Sequence, residues 1–105
     1  MTKTVLYQIS HDGILAEEAL DSAMTLAAFG LEVAILLQDQ GARLLTEPVN
    51  GRLKALPLYD IDTVWIEAST LTALGLKKAA LPAFVQVIDT ARLASLAAHH
   101  DVLLH

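Results

Sequence analysis

The segment 31–37 constrains the fold most, because all of its residues except Glu32 are apolar. A run of this kind is typical of a strand that is buried on both faces of a parallel sheet. Other short runs, rich in β-branched and aromatic residues, predict four more strands. Segments with helical spacing separate them, and this alternation predicts an α/β domain with a mainly parallel five-stranded sheet and helices on both faces, three layers in all. The predicted strands are 4–9, 31–37, 63–66, 84–88 and 101–104.

Two helical segments have recognisable ends. The longer one, 14–29, follows Asp12, which we expect to cap it, and stops at Gly30. The other, 90–98, follows Asp89, which we expect to cap it in the same way. The predicted buried face of the longer helix is mostly alanine, so this helix can lie close against the sheet. Its residues are Ala16, Ala19, Leu20, Ala23 and Ala27.

The third strand begins the most distinctive part of the chain. The run 63–66 is β-branched and aromatic, and Ser69 or Thr70 is predicted to cap the short helix that follows it. Gly75 is placed to end that helix. Glu67 therefore falls at the carboxyl end of the strand. In open α/β sheets, ligands and partners usually meet the protein at that end.

The composition favours a single domain, 1–105, that associates with other chains. Hydrophobic residues make up 54% of the sequence, mean hydropathy is +0.49, and only 18% of residues are charged. A sheet covered on both faces, or apolar surface buried in an oligomer, would each account for these values. We see neither the apolar core of a signal peptide nor a run that could span a bilayer, so we expect a cytoplasmic protein without a membrane partner.

The charge and the absence of cysteine exclude several functions. The formal net charge is −5 and no basic run occurs, which argues against direct binding of nucleic acid. The sequence contains no cysteine. Disulfides, thiolate metal ligands and a persulfide on this chain are therefore excluded.

His11, Asp12 and Glu67 are the candidate contact residues at the carboxyl edge of the sheet. His11 and Asp12 follow the first strand, and Glu67 ends the third, so a histidine with carboxylates in a cleft could perform acid–base chemistry. The simpler interpretation is a helix cap, a solvated histidine and a strand-end carboxylate in water. Because no serine or cysteine lies in a nucleophile elbow, a hydrolase would lack its third member.

The large rings and the remaining histidines give weaker signals. Trp65 is predicted to pack in the core, whereas Tyr59 follows a proline and is equally suited to packing and to contact with a partner. His99, His100 and His105 would have to converge to bind a metal, and their positions in the sequence argue against it. No glycine-rich phosphate loop precedes a helix. We predict no catalytic residue, no metal and no cofactor.

A family resemblance adds to this reading. Leu-Tyr-Asp-Ile at 58–61, a hydrophobic strand containing Trp65, Ala-Ser-Thr-Leu at 68–71 and Gly-Leu at 75–76 resemble the TusC/DsrF branch of the DsrE-like sulfur-relay proteins. The resemblance implies a flavodoxin-like, DsrE-like α/β domain. It also implies a heterohexamer built from two copies of each of three related subunits.

The resemblance also implies a role. In that family, the TusD/DsrE-like subunit holds the sulfur-accepting cysteine after its third strand, and the TusB/DsrH-like subunit carries another cysteine near its end. The corresponding neighbourhood here is Ile66 and Glu67, and neither can carry a persulfide. The chain is therefore similar to the TusC/DsrF subunit, the structural partner of the other two. The implied pathway is synthesis of 2-thiouridine at the tRNA wobble position or sulfur oxidation.

Two other functions stay open. One is a DsrE-like homo-oligomer, unrelated to persulfide transfer, that binds a small ligand in a cleft formed by His11, Asp12 and Glu67. The other is a cysteine-free enzyme that uses His11 and Asp12. A shift in melting temperature on ligand addition that Glu67→Ala abolishes would favour the first, and activity that survives loss of His11 would exclude the second.

Overall fold

Five strands form a single sheet. They are β1 (Thr4–Ile9), β2 (Glu32–Leu37), β3 (Val64–Glu67), β4 (Val85–Ile88) and β5 (Asp101–Leu104). The computed structural model, which describes residues 4–46, 49–98 and 100–104, places them in the order β4-β3-β2-β1-β5. Each pair of neighbours is parallel. The predicted parallel α/β sheet is confirmed.

Within the described residues, four α-helices accompany the strands. They are α1 (Gly13–Ala28), α2 (Gly51–Ala55), α3 (Ala68–Ala73) and α4 (Thr90–Ala98). Short 3₁₀ segments lie between the regular elements, at Asp39–Leu45, Leu56–Tyr59 and Lys78–Ala80. Among the residues that the structure describes, no helix combines the length and the apolar character needed to cross a membrane.

The strand order decides which face of the sheet each helix covers. Three successive steps, from β1 to β4, move across the sheet in one direction, whereas the last connection returns to place β5 beside β1. Because crossovers between parallel strands are right-handed, the first three connections lie on one face and the last lies on the other. The predicted three layers are therefore present, but the order differs from the 2-1-3-4-5 order of flavodoxin.

Two apolar clusters, one on each face, confirm this layering. The larger cluster joins α1, α2 and the 3₁₀ segments Asp39–Leu45 and Leu56–Tyr59 to β1, β2 and β3, and it includes the fully buried Tyr7. The smaller cluster packs against α4 through Leu93 and Leu96, and against Val102 of β5. Its buried residues are Leu6, Ala34, Leu36, Trp65 and Ile88. One face of the sheet is therefore much more heavily covered than the other.

Helix α1 packs on the heavily covered face as predicted. Ala16, Ala19, Leu20 and Ala23 are buried, Ala27 is partly buried, and the buried side also includes Met24, which the predicted face left out. Side chains this small let the helix approach the sheet. The buried Tyr7 hydroxyl reaches Ser22 on this helix at 2.7 Å.

The predicted helix caps have mixed outcomes. Asp12 occupies the N-cap position of α1, but its side chain forms no capping hydrogen bond. The prediction of Ser69 or Thr70 as the cap of α3 is wrong, because this helix begins at Ala68 and Glu67 is its N-cap residue. The other cap prediction is confirmed, since the Asp89 carboxylate accepts a hydrogen bond from the backbone N–H of residue 92 at 2.8 Å.

The predicted stop at Gly75 is confirmed. Its φ of +67° is a left-handed conformation that favours glycine. The N–H groups of Gly75 and Leu76 donate to the carbonyl oxygens of Thr72 and Leu71, both at 3.1 Å. This pattern satisfies carbonyl groups that the last turn of the helix would otherwise leave unpaired.

Gly41 allows the segment after β2 to cross directly over the end of β1. A Cβ atom at position 41 would lie 2.0 Å from the carbonyl oxygen of Ile9. The same carbonyl accepts a hydrogen bond from the N–H of Gln38 at 3.0 Å, and Gly41 donates to the Gln38 carbonyl at 2.8 Å. The connection is thereby held against the carboxyl edge of the sheet.

Candidate functional site

The carboxyl edge of the sheet carries three neighbouring strand ends. Because the strands are parallel, His11 and Asp12 after β1, the 3₁₀ segment Asp39–Leu45 after β2 and Glu67 at the end of β3 all lie at this edge. Strand β2 lies between β1 and β3, so its 3₁₀ segment separates the two groups of candidate residues. Asp12 and Glu67 line different depressions as a result.

The first depression has a volume of about 330 Å³ and lies beside the start of α1. The Asp12 carboxylate lies 3.9 Å from the Nε atom of Arg43, and both side chains are about half exposed. An exposed pair at this distance contributes little to stability. His11 is exposed and forms no hydrogen bond or ion pair with any residue that the structure describes. The simpler interpretation of His11 as a solvated side chain agrees with this placement.

The second depression, which we call the β3 groove, has a volume of about 340 Å³. The hydroxyl of Ser69 donates to Oε1 of Glu67 at 2.6 Å, which orients this carboxylate. Thr70 is buried, with 6% of its surface exposed. The groove therefore combines oriented acceptor groups with a partly apolar wall. Its lining residues are Asp39, Gln40, Glu67, Ser69, Thr70, Ala73 and Leu74.

Tyr59 lies at the opposite edge of the sheet from the other candidates. Helix α1 runs back from the carboxyl edge, so its last residues reach the amino edge, where Tyr59 precedes β3. Phe29 and Tyr59 line one depression there. Phe29, Leu58 and Tyr59 are 81%, 85% and 45% exposed, and we call these three residues the amino-edge patch. Tyr59 as a partner contact stays a prediction, and the structure adds Phe29 and Leu58.

Sequence reasoning missed Phe29 for a physical reason. Phe29 continues the apolar pattern of α1 and directly precedes Gly30, so it reads as the last buried residue of the helix. The helix instead ends at Ala28, and Phe29 adopts a non-helical C-cap conformation. An aromatic residue directly before the glycine that ends a helix is the signal that could have identified it.

Trp65 packs in the core as predicted, with 7% of its surface exposed. Its ring meets the ring of His100 edge to face, with the ring centroids 6.1 Å apart. The Nδ1 atom of His100 lies 2.6 Å from the carbonyl oxygen of Leu96. These contacts give His100 a structural role. His99 and His105 lie outside the described residues, and within the described ranges no three histidine, aspartate or glutamate side chains are grouped so as to hold a metal.

The fold and its edges define an all-parallel, three-layer α/β domain with the strand order 4-3-2-1-5. The DsrE/DsrF-like family model matches residues 3–105, and the chain belongs to this family. The predicted DsrE-like domain is thereby confirmed. This chain is 31% identical, over 102 aligned positions, to "Protein TusC homolog" of Pseudomonas aeruginosa. That alignment spans 88% of this chain and 86% of the homolog.

Solved structures support the fold assignment. The ychN protein from E. coli superposes with a TM-score of 0.83 and 16% sequence identity, and the match covers 100% of both chains. MTH1491 from Methanobacterium thermoautotrophicum, titled a protein of unknown function, gives a TM-score of 0.74 at 18% identity. That match covers 98% of this chain and 99% of the other. At these identities the likeness shows the fold alone.

Proposed function

We propose that this chain is a non-catalytic structural subunit of a TusBCD/DsrEFH-like sulfur-relay complex. The observation that carries the proposal is its likeness, along nearly its whole length, to a protein named as a TusC homolog. The complex supports sulfur transfer for synthesis of 2-thiouridine at the tRNA wobble position or for sulfur oxidation. The partners are a TusD/DsrE-like and a TusB/DsrH-like subunit in a cytoplasmic heterohexamer. The chain contacts neither nucleic acid nor membrane.

The chemistry of the chain supports an accessory role. A relay step needs a thiolate to accept sulfur and pass it on. These 105 residues contain no cysteine, and β3 ends at Glu67, in the neighbourhood that the family resemblance assigns to the reactive cysteine of the TusD/DsrE-like subunit. A carboxylate cannot form a persulfide. The contribution of this chain is therefore to hold a cysteine-bearing neighbour in position.

The amino-edge patch supports a role in assembly. Phe29 and Leu58 expose most of their surface in a chain of which only 18% is charged. Burial of one such side chain contributes about 1.5–3 kcal/mol. Exposed apolar residues that stand together mark interaction surfaces, and aromatic residues are enriched at such contacts. We assign this patch to the contact with a neighbouring subunit.

Co-expression tests the proposal directly. Expressed alone, the chain is expected to aggregate or self-associate, because its apolar surface stays uncovered. Co-expressed with a TusD-like and a TusB-like subunit, it is expected to give a defined hexamer by native mass spectrometry. A stable monomer that ignores both subunits would contradict the proposal.

Two further measurements sharpen the proposal. After a complete relay reaction with labelled sulfur, intact-mass analysis should find sulfur on the cysteine-bearing subunits and none on this chain. Covalent sulfur on this chain would contradict the accessory role. A pull-down from the native host with identification of the bound chains distinguishes tRNA thiolation from sulfur oxidation, because the two pathways employ different partners.

The geometry does not favour the alternative of a small-ligand module built on a single cleft. That function needs His11, Asp12 and Glu67 to converge, whereas Asp12 and Glu67 line different depressions on either side of the segment after β2. A homo-oligomer remains the arrangement expected of the chain without its partners.

A further inference from the structure

The β3 groove is rich in hydrogen-bond acceptors and lacks a cation of its own. Two acidic residues, Asp39 and Glu67, and the amide residue Gln40 are among its lining residues. No lysine, arginine or histidine is among its lining residues. Neither carboxylate forms an ion pair with a described residue of this chain. The groove therefore presents negative charge that no described side chain neutralises.

Thr70 supplies an independent sign that a ligand enters the groove. The residue is 94% buried, since 6% of its surface is exposed, and its hydroxyl forms no hydrogen bond with any residue that the structure describes. No fully buried side-chain oxygen or nitrogen in the described ranges lacks a partner. The Thr70 hydroxyl therefore keeps access to the surface, and that surface is the groove it lines. A hydroxyl that reaches the surface at the groove and bonds no described residue is able to bond a ligand there.

The Glu67 carboxylate is oriented before a ligand arrives. Ser69 bonds one oxygen of the Glu67 carboxylate, which leaves the other oxygen to accept from a ligand. Asp39 lies at the start of the 3₁₀ segment that Gly41 holds against β1, and its φ is +48°, a conformation that aspartate tolerates. A carboxylate that is already oriented loses little conformational entropy when it binds.

We propose that the β3 groove binds the guanidinium group of an arginine side chain on a neighbouring subunit. Asp39, Gln40, Glu67 and Thr70 offer acceptors, and a guanidinium group has five N–H donors, whereas an ammonium group has three. The guanidinium is also the more weakly hydrated cation, and its methylene stem fits against Ala73 and Leu74. That the arginine belongs to a neighbouring subunit rests on the proposed function.

Saturation-transfer difference NMR with two peptides tests the site. The probes are acetyl-Gly-Arg-Gly-amide and its uncharged isostere acetyl-Gly-citrulline-Gly-amide, and the protein is the full chain in whatever assembly it forms. This method observes the peptide, so it tolerates a large assembly. We expect saturable transfer to the arginine side-chain protons, and binding of the citrulline peptide weaker by about fivefold or more. Equal binding of the two peptides would overturn the proposal.

Three substitutions and a control locate the contact. Glu67→Gln and Asp39→Asn keep the shape of each side chain, and each is expected to weaken the arginine peptide by about fivefold. Thr70→Val removes the hydroxyl alone and is expected to weaken it by about threefold. Asp62→Asn, an exposed acid at the other end of β3, is expected to leave binding unchanged. If the arginine peptide still binds after each of the three groove substitutions, the cation binds elsewhere. The same conclusion follows if Asp62→Asn weakens binding as strongly as the groove substitutions do.

The peptide-binding test and the co-expression test can fail separately, so each proposal is tested on its own. Should the chain bind the arginine peptide through the groove yet form no complex with TusD-like and TusB-like subunits, the site stands and the proposed function fails. Should the hexamer form while the peptide does not bind, the proposed function stands and the arginine site is refuted.

Discussion

Replacement of Gly41 by alanine is expected to be among the most damaging single-methyl changes in this chain. The added Cβ would lie 2.0 Å from the carbonyl oxygen of Ile9 and 2.7 Å from its carbonyl carbon. Both contacts are with backbone of β1, inside the sheet, so no flexible side chain can move aside. The 3₁₀ segment must shift instead, and it forms part of the wall of both carboxyl-edge depressions.

The size of the effect follows from the distances. A carbon atom and a carbonyl oxygen approach to about 3.3 Å at the closest, so the segment must move by more than about 1 Å. Overpacking in a close-packed region costs about 1–3 kcal/mol. The two hydrogen bonds that join Gln38 to Ile9 and Gly41 to Gln38 contribute about 0.5–1.5 kcal/mol each, and the shift weakens both. We expect a loss of about 2–5 kcal/mol from a total of about 5–15 kcal/mol.

Urea denaturation followed by far-UV circular dichroism, at equal protein concentration, measures this loss. The matched control is Gly51→Ala at the start of α2, where an added Cβ meets nothing within 4 Å. That change is expected to raise stability by about 0.4–1 kcal/mol, because alanine restricts the unfolded chain. The melting temperature of Gly41→Ala should fall by about 10 °C or more. A loss below about 1 kcal/mol would refute the close crossing of β1.

Three other changes test the packing and the amino edge. Tyr7→Phe should lower the free energy of unfolding by about 0.5–1.5 kcal/mol, measured by urea denaturation, since the buried hydroxyl bonds Ser22 at 2.7 Å. Arg52→Gln should lower the melting temperature slightly at low salt and have no effect in 1 M NaCl, because its exposed ion pairs join α2 to α1. Phe29→Ser with Leu58→Ser should weaken assembly with the partner subunits by at least about tenfold in sedimentation velocity, with the fold of the chain unchanged. Unaltered assembly would remove the amino-edge patch from the interface.

The electrostatics of Arg52 show why the salt dependence is expected. Its Nε donates to Oδ1 of Asp21 at 2.9 Å, and its Nη1 contacts Glu17. The hydrogen bond to Asp21 and the charges of both acids raise the pKa of Arg52. All three side chains are partly open to solvent, so dissolved ions screen the attraction.

The sequence predicted the regular elements because their signals are local. A strand such as β1 appears as an apolar run with a polar break after it, and its predicted bounds agree with the structure. Asp89 as the cap of α4 rests on the nearest neighbours alone, and it is also confirmed. Ser69 and Thr70 failed as caps of α3 because the chain turns into the helix directly after β3, two residues earlier than a cap at Ser69 requires and three earlier than a cap at Thr70 requires.

The sequence could not predict that the candidate residues at the carboxyl edge lie in two separate depressions, because their separation depends on the path of the chain in space. The pattern placed His11, Asp12 and Glu67 at one edge, which is correct for parallel strands. It could not show that the segment after β2 lies between them, since that path depends on how closely Gly41 approaches Ile9. The exposure of Phe29 could not be predicted from the sequence either, because the sequence does not show whether an apolar residue at a helix end faces the core or water.

The two edges of the sheet are suited to different neighbours. Helix α1 has 16 residues, and at about 1.5 Å per residue it separates the start of the helix at the carboxyl edge from Phe29 at the amino edge by roughly 24 Å. The amino-edge patch is largely apolar, so it suits a permanent contact. The β3 groove is polar, so it contributes more to selection of the partner than to affinity. If both proposed contacts hold, the chain joins two neighbours at opposite ends, and substitutions in the β3 groove should change which partner binds without dissolving the contact made by Phe29 and Leu58.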